Sequence, residues 1–215
     1  VAGRNAVLEA LLAGVPATSA YVAERVDRDD RLRQVLSLSA DRALPVLEVS
    51  RAELDRLTDR AVHQGVALKV PAYEYAHPSD LLDRAASSGT APLLVALDSV
   101  TDPRNLGAVV RSAAAFGVHG VVVPERRAAG MTASAWKTSA GAAVRVPVAR
   151  ATNLTRQLRD FRDQGLAVVG LAADGDIDIA DLEVATEPMV LVVGSEGQGL
   201  SRLVAQTCDA LVRIP

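Results

Sequence analysis

"LLVALDSVTDPRNLGAVVRSAAAFG" (residues 93–117) decides the fold. Its apolar opening does not alternate with polar residues, which is the pattern of a parallel strand buried on both faces. Asp102-Pro103 marks a turn, and the pattern that follows predicts a helix over 105–116. Val109, Ala113 and Phe116 recur at i, i+4 and i+7 and are the expected core stripe. Arg111 lies two residues from Val109, about 200° round the axis, so it points away from that stripe. Asn105 and Gly107 stand near the helix start, where unpaired backbone N–H groups favour an anion. The glycines follow neither the G-x-G-x-x-G nor the G-x-x-x-x-G-K-[ST] order of nucleotide loops. Taken alone, the segment leaves open a solvated Arg on an amphipathic helix with an Asn cap.

The strand–helix unit repeats outward from there. Near-continuous apolar runs predict strands at 93–98, 120–123, 144–149, 167–172, 189–194 and 211–214. Helices are expected at 105–116, 132–140, 153–164 and 200–207. Such β-α-β repetition places helices over both faces of a parallel sheet. Ligands in such sheets bind just outside the carboxyl ends of the strands. Three of those ends stand out: Asp98 leads into "SVTDPRN", Leu171 into "AADG", and Val193 into "GSEGQGLS". In the last, Gly194, Gly197 and Gly199 allow a tight turn and close approach of a ligand. Glu196 among them repels phosphate and suits a hydroxyl, amine or sulfonium group. A Gly-rich turn with a solvated Glu remains the plain alternative.

The N-terminal part reads differently. "GRNAVLEALLAG" has helical spacing with Gly14 as its stop, and "SRAELDRLT" carries a capping box from Ser50 to Glu53. With strands at "SAYVA", "LPVLEVS" and "QGVALKVP" and a helix at "DDRLRQVLSLSA", residues 1–72 alternate α-β-α-β-α-β. The expected division is a small α/β domain over 1–75, a linker with a short helix over 76–90, and the parallel-sheet domain over 91–215.

Composition limits the chemistry. Only 3% of the 215 residues are aromatic, so the core must be built from Ala, Val and Leu. Trp136, the single Trp, reads as core rather than as a base-stacking platform. A lone Cys208 excludes an intrachain disulfide framework and fits a reducing compartment. No apolar run approaches the ~20 residues that span a bilayer, and no signal segment leads the chain. These features together predict a cytoplasmic protein. His63, His77 and His119 have no metal-ligand spacing, and no G-x-S-x-G elbow occurs, so neither a metal site nor a serine hydrolase is expected. The formal charge is −3, but residues 91–160 carry nine Arg or Lys against four acids. Residues 161–215 carry three Arg against nine acids. A basic middle beside an acidic end can present a phosphate-binding face on an acidic protein.

Three segments together resemble the SpoU/TrmH family of RNA 2′-O-ribose methyltransferases in the SPOUT superfamily. "DPRNLGAVVRSAAAFG" is similar to motif 1, "LVVGSEGQGLS" to motif 2, and "LVRIP" to the opening of motif 3. "KTSAGAAVRVPVAR" resembles the segment between them. "GRNAVLEAL" and "HQGVALKV" resemble the small substrate-binding domain of bacterial 23S rRNA 2′-O-methyltransferases. The resemblance implies a SPOUT-type α/β domain with a C-terminal trefoil knot, S-adenosylmethionine as methyl donor, RNA as substrate and a homodimer. It implies that Asn105, Arg111 and Glu196 form the catalytic set, with Arg111 on an RNA phosphate near the target ribose. Backbone at Leu171, Ala172, Gly194 and Ile214 would surround the donor. An Arg is a poor general base, because the free guanidinium loses its proton only above pH ~12. Positioning and charge stabilisation suit it better. Motif 3 is expected to continue past Pro215 into a Gly-containing loop and a Ser-Leu-Asn stretch that close the knot. A tRNA methyltransferase of the same family and a catalytically silent RNA-binding homologue are the other readings.

Overall fold

The computed structural model describes residues 1–27, 29–182 and 186–215. In chain order the elements are α1 (Arg4–Leu12), β1 (Ser19–Ala23), α2 (Asp30–Asp41), β2 (Val46–Val49), α3 (Arg51–Leu57) and β3 (Val66–Lys69). Next come α4 (Pro78–Ser88), β4 (Leu93–Leu97), α5 (Pro103–Ala115), β5 (Gly120–Pro124), α6 (Ala133–Thr138) and β6 (Val148–Ala151). The last are α7 (Leu154–Asp163), β7 (Ala167–Leu171), β8 (Ile177–Asp178), β9 (Met189–Val193), α8 (Arg202–Ala205) and β10 (Ala210–Arg213). They form two compact units. One takes Val1–Tyr73 with Thr132–Gly141, and the other takes Glu74–Met131 with Ala142–Pro215.

The first unit is a three-stranded sheet in the order β2-β1-β3, with β1 parallel to β2 and antiparallel to β3. Helices α2 and α3 start at side-chain caps: Asp29 accepts from the Leu32 amide and Ser50 from the Glu53 amide. Each such cap satisfies a backbone donor the helix itself leaves open. His63 is buried here. Its Nδ1 accepts from the Gly65 amide at 3.0 Å, so its Nε2 carries the hydrogen that faces Asp55 at 2.9 Å. α6 belongs to this unit although it lies within the second block of sequence. Trp136 on α6 is 5% exposed and meets Tyr73 edge-on, so the only Trp packs in a core and offers no face for base stacking.

The second unit is a seven-stranded, all-parallel sheet in the order β6-β5-β4-β9-β7-β10-β8. The uninterrupted apolar strands are buried as their composition requires, with Leu94, Ala96, Val122, Val168, Val190 and Val192 at 0% exposure. Residues 76–90, read as a linker, hold the eleven-residue α4, whose Leu81 and Ala85 are buried in this unit. Gly120 is the reason α4 can sit so close: a Cβ there would lie 2.4 Å from the Leu81 side chain. His119 is also structural, accepting from the Leu93 amide and bonding the Ser88 and Thr90 hydroxyls.

Four expectations from sequence need correction. α5 begins at Pro103 rather than Asn105, because Asp102 caps it by accepting from the Arg104 amide and Pro103 has the fixed φ of a first helical turn. Its buried face is Leu106, Gly107, Val110 and Ala113, while Phe116 caps the C-terminus and is 80% exposed. The strand expected over 144–149 starts at Val148. Residues Ala142–Val144 form a 3-10 turn, and Pro147 has no N–H to give a ladder. The helix expected over 200–207 is reduced to the four residues of α8. Among the described residues, no helix is long and apolar enough to cross a membrane, and no group of three His, Cys, Asp or Glu could hold a metal ion.

Candidate functional site

Strand register lines up the ends that matter. Leu97 pairs with Val193, Gly170 with Val192, and Val212 with Leu171. Leu97, Val193, Leu171 and Val212 therefore form one row across four adjacent strands. One residue further on, Asp98, Gly194, Ala172 and Arg213 form the carboxyl edge. Neighbouring strands are about 4.8 Å apart, so the four backbones lie within about 15 Å. Residues more than a hundred positions apart in sequence thus share one short edge.

Hydrogen bonds fix the loops that leave this edge. Asp98 is 6% exposed, and its amide donates to the Val193 carbonyl at 2.9 Å. Its carboxylate accepts from the Ser201 amide at 2.6 Å and from the Ser99 hydroxyl at 3.1 Å. That carboxylate clamps the far end of the glycine loop to the end of β4. Within the loop, Ser195 and Gly199 exchange two backbone bonds of 3.0 and 2.9 Å. Gly194 permits the tight return, since a Cβ there would lie 2.2 Å from the Gly199 carbonyl carbon. After β7, the Ala172 amide donates to the Val212 carbonyl at 2.9 Å, and Arg213 donates to the Gly175 carbonyl at 2.9 Å.

These contacts set out the sequence-derived residues. Gly194, Leu171 and Ala172 sit on the carboxyl edge, and Ile214 follows β10 there with 68% exposure. Glu196 is exposed in the glycine loop. Asn105 is exposed in the first turn of α5, which leaves the same edge, and Arg111 lies six residues on, about 9 Å along the axis. Asn105, Arg111 and Glu196 make no side-chain hydrogen bond or ion pair with one another. Arg104 differs: it is engaged by the Asp102 carboxylate at 3.1 Å, which holds that carboxyl below its usual range. Cys208, packed near the same strands, has its thiol pushed up to about 11 by burial and by the nearby Asp209 and Asp98 carboxylates.

Residues 92–215 match the SpoU rRNA methylase family, and residues 1–76 match the RNA 2′-O ribose methyltransferase substrate-binding family. The chain belongs to the SpoU rRNA methylase family. As a SpoU methylase it is an RNA methyltransferase. It is 61% identical, over all of its length and 69% of the relative's, to a protein of Mycobacterium avium named an uncharacterized tRNA/rRNA methyltransferase. Among solved structures it is similar to the SpoU methyltransferase AviRb from Streptomyces viridochromogenes in complex with AdoMet. That match has 26% identity and a TM-score of 0.66, covering 100% of this chain and 80% of the other. It is also similar to an AdoMet-bound rRNA methyltransferase from Sinorhizobium meliloti, at 27% identity and a TM-score of 0.62, covering 100% and 77%. These matches accord with the seven-stranded parallel sheet and with the SPOUT-type fold class.

Sequence reading of this SpoU methylase noticed Asp98 only as a strand end. Its role as the clamp on Ser201 was missed. The available signal was a carboxylate ending an otherwise apolar run, where an unpaired buried charge is costly.

Proposed function

We propose that the protein transfers the methyl group of S-adenosylmethionine to the 2′-oxygen of a ribose in 23S rRNA. The observation that carries this reading is the shared carboxyl edge of β4, β9, β7 and β10, where the motif segments meet. The edge suits the donor. It offers backbone carbonyls and amides on three loops, small residues at Ala172 and Gly194, and the exposed Glu196 carboxylate. Leu171, Ala172, Gly194 and Ile214 would hold the donor through backbone and apolar contact. When bound, S-adenosylmethionine supplies an electrophilic methyl on a sulfonium centre.

The protein's own groups bind and orient. Asn105, in the first turn of α5, and Glu196, in the glycine loop, are exposed and free to hydrogen-bond the nucleotide or the donor's polar groups. Arg111, exposed and without a protein partner, holds an RNA phosphate near the target ribose. Its fixed positive charge would stabilise the negative charge that builds on the ribose 2′-oxygen as the hydroxyl proton passes to water. Action on rRNA is supported by the likeness of the whole chain, N-terminal unit included, to the S. meliloti rRNA methyltransferase. A homodimer and a cytoplasmic location belong to the same reading. So does a knot, closed by chain following β10.

The test is transfer of labelled methyl from S-adenosylmethionine to unmodified 23S rRNA and to tRNA transcripts, with the modified nucleotide mapped. A 2′-O-methyl nucleotide in 23S rRNA is the expected product. Transfer to tRNA alone would replace the substrate, and no transfer to either RNA would leave a silent RNA-binding homologue.

A further inference from the structure

β6 is an edge strand of the large sheet, and Val148, Ala149 and Ala151 in it are buried. Arg150 is the exception. The register places it level with the methyl-transfer site. Arg150 pairs with Val123, and Val122 with Ala96, so Arg150, Val123, Leu97 and Val193 share one row. Two strand spacings, about 10 Å, separate β6 from β4. Side chains alternate along a strand. Ala149 and Ala151 join the core with Leu81 of α4 and with Leu154 and Phe161 of α7, so Arg150 projects from the opposite face.

The Arg150 side chain is exposed and makes no hydrogen bond or ion pair with the described residues. It is held all the same. Its guanidinium carbon lies 3.6 Å from the centroid of the Tyr75 ring, a close cation–π contact. The pair is braced on several sides. The Ala76 amide donates to the Val148 carbonyl at 3.0 Å, and the Arg150 amide donates to the Ala76 carbonyl at 3.2 Å. The Tyr75 hydroxyl oxygen accepts from the Met131 amide at 2.8 Å. Gly130 lets that loop come close, since a Cβ there would lie 3.3 Å from the Tyr75 oxygen and 3.8 Å from Arg150 Nη2. The same loop is tied to the segment between β4 and α5, because the Ala129 amide donates to the Val100 carbonyl at 2.7 Å. The guanidinium therefore stands on a fixed ring, with one face covered and the other open.

We propose that Arg150 on Tyr75 is a stacking platform for a base of the RNA substrate beside the target nucleotide. This rests on the reading that places the target ribose at the ends of β4 and β9. Single-stranded RNA is recognised by stacking splayed bases on aromatic rings and guanidinium planes. A guanidinium already fixed on a ring loses little freedom when a base lands on its outer face, and every base has a face to offer. A neighbour splayed onto the platform would draw the target nucleotide out of its own stack. Phosphate is the rival ligand for an exposed arginine. The other exposed charges on the bracing segments offset each other, Glu74 and Glu125 against Arg126 and Arg127, so they concentrate no positive charge there.

The test is binding of the full chain to unmodified 23S rRNA and tRNA transcripts across a range of salt, read on the RNA that binds more tightly. Arg150→Ala should raise Kd about 10- to 100-fold, as expected for one lost stacked base. The salt dependence should keep its wild-type slope, whereas a lost phosphate contact would lower it by about 0.7 to 0.9. Arg150→Lys should lose nearly as much, since an ammonium supplies a charge but no face. In methyl transfer the loss should fall on KM for RNA with kcat unchanged. Melting temperature and S-adenosylmethionine affinity should not move. A second series needs no variant. An abasic residue on one side of the mapped nucleotide should weaken the wild type as much as Arg150→Ala does, and add nothing to that variant. Wild-type Kd in Arg150→Ala, a lowered salt slope, full rescue by Arg150→Lys, indifference to every flanking abasic residue, or no RNA binding by the wild type overturns the proposal. Methyl transfer that does not depend on Arg150 would sink the platform alone. Arg150-dependent binding at unchanged slope without methyl transfer to any RNA would sink the enzymatic reading and sustain a base on Arg150.

Discussion

Gly194→Ala tests the carboxyl edge most directly. The added Cβ would lie 2.2 Å from the Gly199 carbonyl carbon, 2.3 Å from its oxygen and 2.6 Å from the Leu200 nitrogen. All three are backbone atoms, so no side chain can turn aside, and the loop must retreat by roughly an ångström to reach ordinary contact. That movement strains or breaks the two Ser195–Gly199 backbone bonds, each contributing about 1 kcal/mol, and overpacking itself costs about 1–3 kcal/mol. A loss near 2 kcal/mol lowers the melting temperature of a chain this long by about 4–8 °C. Because the same retreat displaces the loop proposed to hold the donor, S-adenosylmethionine affinity measured by calorimetry should fall by at least about tenfold, or 1.4 kcal/mol. Gly197→Ala is the contrast. It meets nothing within 4 Å but has φ +82°, so it costs about 1 kcal/mol in backbone strain and leaves the loop in place. Wild-type melting and wild-type donor affinity in Gly194→Ala would refute the reasoning.

Other outcomes follow from the same contacts. Asp98→Ala leaves the Ser201 amide unpaired and should cost about 1–3 kcal/mol in urea unfolding; an unchanged midpoint would show that the clamp does not contribute. With its thiol near 11, Cys208 is about one-thousandth thiolate at pH 8, so iodoacetamide should label the native protein far more slowly than the urea-unfolded chain. Folding suppresses that ionisation, so the stability linked to Cys208 is intact below about pH 9 and declines as pH rises from there towards about 11. Arg111→Ala should keep the wild-type melting temperature, since the side chain is exposed and unpartnered, and lower kcat for methyl transfer by about 100-fold or more. Near-wild-type turnover would remove Arg111 from the site. Trp136→Ala should destabilise by about 3–5 kcal/mol, as expected for a buried aromatic; a much smaller loss would mean its pocket collapses readily.

Particular residues show how far sequence could reach. The runs at 93–98, 167–172 and 189–194 point to parallel strands, and strands one residue shorter form there, because a strand covered on both faces has no polar alternation to hide it. Ser50 was read as a helix cap from its spacing to Glu53, a purely local contact. Periodicity alone cannot separate the stripe through Val109 and Phe116 from the one through Leu106 and Val110, and tertiary packing selects the latter. The apolar run at 144–149 hides the missing N–H of Pro147, so β6 begins only at Val148. Asn105, Arg111 and Glu196 could be named by motif and their segments assigned to the carboxyl ends of strands, yet which of those strands are neighbours was not legible.

Element types, the parallel character of the large sheet and the family are all written in local pattern and short motifs. That β9 lies between β4 and β7, and that β10 enters between β7 and β8, emerges only in three dimensions. The same is true of the joining of Thr132–Gly141 to the N-terminal unit. Strand order and register are long-range choices. They are fixed by which buried faces fit together and by bonds such as Asp98 to Ser201, spanning 103 positions. No local pattern encodes a contact between residues that far apart.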